Sequence, residues 1–124
     1  MRSFLAAVII IGIFFLSCKS SSRYSYNTGE FQISNFTPEV IDSISISPDR
    51  KLGKNFIRLN PRESSQYRTD MSGRAMSDGA FKINFKIRDT HRSEIFGYYS
   101  NGSFLEKLIR INISTDSITY EYVH

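Results

Sequence analysis

Phe81-Lys82-Ile83-Asn84-Phe85-Lys86-Ile87-Arg88 alternates large apolar and polar residues without a break. A strict two-residue period places Phe81, Ile83, Phe85 and Ile87 on one face of a strand and the three cations and Asn84 on the other. One face is therefore expected to be buried and the other wet, as in a sheet that covers a core on one side only.

The same period recurs on both sides of this stretch. Upstream, Phe31 and Ile33 open a pattern that extends to Phe36, and Ile44 and Ile46 alternate with serines over Ile41 to Ile46. Phe56, Ile57 and Leu59 form a short apolar stretch within Asn55–Asn60, and Pro61 ends it. Ser64 to Met71 reads as an exposed strand with Tyr67 its one large apolar group before Met71. Downstream, Ile95 to Tyr99, Leu105 to Ile113 and Ile118 to Tyr122 read as strands. Asn101-Gly102 is a hairpin signal, because both residue types accept positive φ. Asp89-Thr90-His91-Arg92-Ser93 is polar and reads as a turn.

About seven short strands, with no helical period after the first seventeen residues, predict an all-β domain built as a single antiparallel β-sandwich. Its size and strand number match an immunoglobulin-like sandwich, although the disulfide and core tryptophan of that fold are missing. The sequence holds one cysteine and no tryptophan.

That cysteine, Cys18, closes a leader. Met1-Arg2-Ser3 supplies a positive start, and Phe4 to Leu16 is an unbroken run of thirteen apolar residues. A run of this length suits a secretory signal helix and is short for a bilayer span. The exit sequence Phe15-Leu16-Ser17-Cys18 resembles the lipobox of bacterial lipoproteins, with Phe15 where the pattern usually has leucine. The resemblance implies cleavage before Cys18, attachment of a diacylglyceryl group to its sulfur, and acylation (palmitate or similar) of the new amino terminus. Two or three acyl chains hold a protein on a membrane durably, since each buried methylene contributes about 0.8 kcal/mol. Lys19 stands where enteric lipoproteins retained at the inner membrane carry aspartate, so the resemblance favours the outer membrane, with its periplasmic and outer faces both open.

Three regions follow: a signal peptide over 1–17, a lipidated tether over 18–29 and a sandwich over 30–124. Cleavage leaves 107 of 124 residues, with 15 basic against 12 acidic side chains, a net charge of +3. That is enough for one core. With the thiol acylated, the fold must stand on packing rather than disulfides. Single, scattered cations make nucleic acid a poor partner. The mature part resembles small sandwich lipoproteins of unknown function, which lend it no activity.

Candidate sites are few. His91, near Asp89, Ser93 and Glu94, has the residue types of a nucleophilic hydrolase, but all four lie in one polar stretch, whereas triads gather from distant segments. No catalytic residue is assigned on this basis. No His or Cys pair has metal-ligand spacing, and Asp70 to Asp78 lacks the regular oxygen ligands of a calcium loop. No metal or other cofactor is expected. Tyr98, Tyr99 and Asn101 form the most distinctive segment. Alternation sends the two rings to opposite faces, and an exposed ring beside Asn101 suits contact with a glycan or an envelope protein. Asn35-Phe36-Thr37, Asn101-Gly102-Ser103 and Asn112-Ile113-Ser114 match the eukaryotic N-glycosylation pattern, a coincidence in a bacterial lipoprotein. The expectation is a non-catalytic binding or structural domain, with a small envelope hydrolase and an inhibitor or immunity protein as alternatives.

Overall fold

A computed structural model describes residues 28–49, 54–71 and 77–124. The expected signal peptide, Cys18 and most of the tether lie outside the described residues. Nine strands follow in order: β1 (Thr28–Asn35), β2 (Ile41–Pro48), β3 (Ile57–Leu59), β4 (Ser64–Asp70), β5 (Gly79–Ile87), β6 (Thr90–Ser100), β7 (Ser103–Phe104), β8 (Leu108–Ile113) and β9 (Ile118–Val123). They form a four-stranded sheet ordered β4-β1-β8-β9 and a five-stranded sheet ordered β3-β2-β5-β6-β7. The architecture is an all-β sandwich. The short β3 falls within the Asn55–Asn60 stretch, and the two-residue β7 is the strand with no counterpart in the sequence pattern.

Among the described residues, pairing is antiparallel with one exception. β1 and β8 run parallel, with Phe31 beside Ile109 and Asn35 beside Ile113. The fully antiparallel arrangement expected from sequence is corrected here. β1 and β8 are joined by six intervening strands rather than a tight turn, so nothing local imposes opposite directions.

The alternation of β5 is realised: Phe81, Ile83 and Phe85 are buried, and Ile87 is partly buried. They face Phe31, Ile33, Ile109, Ile111 and Ile113 of the opposite sheet in one core. Phe31 is its hub. Its ring meets Phe81 at 5.3 Å, Phe96 at 5.9 Å and Phe104 at 5.5 Å, each edge-on. That is the arrangement the aromatic quadrupole favours.

Several strand limits differ from the expectation. Phe36 falls just after β1 and is 62% exposed, as is Phe56 before β3. Neither ring joins the core cluster, so hydrophobicity alone misplaced both. Leu105 is likewise exposed, and β8 starts only at Leu108. β1 begins at Thr28, which pairs with Asp70, so the sheet takes the last two residues assigned to the tether. The polar stretch Thr90–Ser93 belongs to β6. Only Arg88 and Asp89 turn, at φ of 50° and 60°, a two-residue primed hairpin.

Strand ends gather at two poles. One holds Asn35, the 36–40 connection, the 60–63 turn, the 88–89 hairpin and the 114–117 turn. The other holds Thr28, Asp49, the Ser100–Ser103 hairpin and His124. At the first pole Asn35 is buried. Its amide donates to the carbonyls of Glu39 (2.8 Å), Leu59 (3.2 Å) and Asn60 (3.1 Å). Its Oδ1 accepts from the Thr37 amide at 2.9 Å and the Thr37 hydroxyl at 2.7 Å. The Asn35-Phe36-Thr37 match thus has a structural use, and its amide is consumed inside the fold.

Candidate functional site

Gly97 at φ +66° sits where the β5–β6 register shifts, and the shift sends Tyr98 outward and Tyr99 inward. Tyr98 is 52% exposed. Tyr99 is buried against Phe81, with ring centroids 5.4 Å apart. The space it fills exists because residue 79 is glycine: a Cβ there would collide with the Tyr99 ring. Tyr99 is therefore a core residue and leaves the set of possible partner contacts.

Asn101 and Gly102 form the expected hairpin turn, at φ of 51° and 71°. The turn is pinned from outside by Ser77 and Asp78. The Gly102 amide donates to the Ser77 carbonyl at 2.8 Å, and the Asn101 amide to Asp78 Oδ1 at 3.0 Å. Asp78 also accepts from the Tyr98 hydroxyl. The Asn101 amide first, and then Tyr98, hold the Asp78 carboxyl below its ordinary range. The same carboxylate raises the Tyr98 hydroxyl above its usual value. The result is an exposed aromatic face held at its hydroxyl end, beside the exposed Asn101. Such a ring is suited to stacking on a sugar or an apolar loop.

The histidine neighbourhood does not converge. His91 pairs with Lys86 and Ser93 with Asn84 on the outer face of β6, while Glu94, opposite Ile83, lies on the inner face. His124 Nδ1 lies 2.6 Å from Glu106 Oε2 at the other pole. Among the described residues, no group of three or more His, Cys, Asp or Glu could hold a metal ion.

A second polar group was not foreseen. Inner positions of β6 continue from Phe96 to Glu94, Arg92 and Thr90, opposite Ile83, Phe85 and Ile87. Tyr120 of β9 stacks on Phe96, at 4.7 Å between centroids and 11° between planes, and donates its hydroxyl to Glu94 at 2.7 Å. Burial first, and the Glu94 carboxylate second, push the Tyr120 hydroxyl far above the ordinary tyrosine value. Arg92 lies over the Phe85 ring at 5.4 Å. Glu94 was weighed only beside His91, and its pairing with Tyr120 escaped notice because the two residues are 26 positions apart and meet only in the fold.

Because Tyr120 keeps its proton more tightly in the fold, its contribution is complete below the unfolded value near pH 10 and lost above it. Thermal unfolding is expected to show stability falling above about pH 10, with a shallower fall in Tyr120→Phe. An equal slope in both proteins would refute the Tyr120–Glu94 assignment.

No protein-family model matches the chain, and no curated protein or solved structure matches it either.

Proposed function

We propose that this protein is a cell-envelope lipoprotein, anchored through lipid on Cys18, whose sandwich serves as a non-catalytic binding or structural accessory domain. The observation that carries the reading is the thirteen-residue apolar run closing on Ser17-Cys18, followed within ten residues by the first strand at Thr28. Lys19 after the cysteine favours the outer membrane. The sandwich is immunoglobulin-like in size and in its two-sheet layering, which is the sense in which that likeness is proposed.

The exposed Tyr98 ring and Asn101 supply the contact surface for an envelope protein or a glycan. Support comes from the clamp on Tyr98. A ring already fixed by Asp78 loses less side-chain entropy on binding than a free one. Thr28 and the Tyr98 hairpin share one pole. Residues 18–27 reach at most about 35 Å when fully extended. A partner on Tyr98 would therefore be met close to the membrane.

Metabolic labelling with a radioactive fatty acid tests the anchor. Wild type is expected in the membrane fraction with label, and Cys18→Ala unlabelled and released. Undiminished label in the variant would overturn the proposal.

A further inference from the structure

A cleft of about 220 Å³ opens at the pole opposite Thr28, where the 36–40 connection, the β5–β6 hairpin and the β8–β9 turn meet. Glu39, Ile87, Arg88, Thr90, Arg92 and Thr115 line it. Its charges are unequally engaged. Arg88 donates to Glu39 at 2.8 Å, which neutralises both. The nearby Glu94 accepts from Tyr120. Arg92 makes no ion pair among the described residues; it lies over the Phe85 ring and acts electrostatically on the Tyr120 hydroxyl.

The placement of Arg92 calls for an explanation. It occupies an inward position opposite Phe85, where the pattern of β5 would pair an apolar residue. The guanidinium carbon lies 5.4 Å from the centroid of an aromatic ring, and the side chain is only partly exposed. Arginine so placed is suited to paired hydrogen bonds with a planar oxyanion.

We propose that this cleft binds a carboxylate group on a short aliphatic stem, with Arg92 as the charged donor and the Thr90 and Thr115 hydroxyls as neutral donors. Glu39 cancels one of the two arginine charges, so the lining carries one net positive charge and matches a monoanion. Ile87 offers the stem an apolar wall. The same carboxylate can come from an acidic protein side chain or from a free organic acid. The inference deepens the binding reading by naming a ligand chemistry. It does not depend on the lipid, so the Cys18→Ala labelling fails or succeeds separately.

The test is titration of the full chain in detergent micelles with sodium propionate, followed in proton–nitrogen NMR spectra against sodium chloride at equal ionic strength. Propionate is expected to shift the Arg92 side-chain Nε–H signal and the Thr90 and Thr115 amides along saturable curves. Arg92→Gln should weaken saturation at least tenfold. Arg92→Lys, which keeps the charge but loses the fork, should weaken it several-fold. Arg110→Gln, whose arginine pairs with Glu121 outside the cleft, should leave it unchanged. A blocked glutamyl peptide run in parallel separates the two sources: tighter binding than propionate identifies a protein side chain, and equal binding a free acid. Shifts that rise linearly and match those of chloride would overturn the proposal. So would saturation in Arg92→Gln equal to wild type.

Discussion

Asn35→Ala is expected to lower the unfolding free energy by about 3–5 kcal/mol, from lost hydrogen bonds and stranded partners. The alanine would abandon three carbonyls, on Glu39, Leu59 and Asn60, together with the buried amide of Thr37. Stranding a buried partner costs about 1–3 kcal/mol per group, and water can reach only part of this set. Against a typical domain stability of 5–15 kcal/mol, roughly, the variant should melt at far lower denaturant. Asn35→Asp sharpens the test through pH. Its carboxylate would face three carbonyl oxygens, so its folded pKa lies above the unfolded value of about 3.9. Stability is then retained below about pH 4 and lost as pH rises, opposite to the usual acid-denaturation trend. Urea unfolding followed by tyrosine fluorescence measures both. An Asn35→Ala midpoint within error of wild type would show that the pole is not built around this amide.

Phe31→Ala is the second large effect, with an expected loss of about 3–5 kcal/mol. The ring is fully buried and touches Phe81, Phe96 and Phe104, so its removal leaves a cavity walled by three other rings. Those rings belong to the opposite sheet, and truncation therefore loosens the packing between layers. Phe36→Ala is the control. Five residues away and 62% exposed, it should change stability by no more than about 0.5 kcal/mol. Equal effects at the two positions would contradict the core described here.

The contrast between Phe31 and Phe36 shows what the sequence could and could not disclose. Period two in β5 was legible because the strand is central in its sheet, between the long β2 and β6, and Phe81, Ile83 and Phe85 are all buried. β6 was half-legible. Its inner row turns polar at Glu94 and Arg92, where the sandwich opens toward β9, so alternation of hydrophobicity stopped while alternation of direction continued. The parallel pairing of β1 with β8 had no local signal, since it joins residues 78 positions apart. The Tyr98 hairpin was legible from Asn101-Gly102, but its anchor, Asp78, comes from another segment and was weighed only as the end of a stretch without calcium-ligand spacing. The Arg92 cleft needed three separate turns to meet, which only tertiary structure supplies.

β1 is held on both long edges, by β4 on one side and β8 on the other, and the chain enters it at Thr28. A pull applied through the preceding residues, against a grip at the far pole, would run along the axis of that strand. The two ladders would resist in shear, with many hydrogen bonds strained together rather than peeled one by one. The domain is thereby arranged to withstand tension along its length, and its lifetime under force would follow the unfolding rate rather than the equilibrium stability.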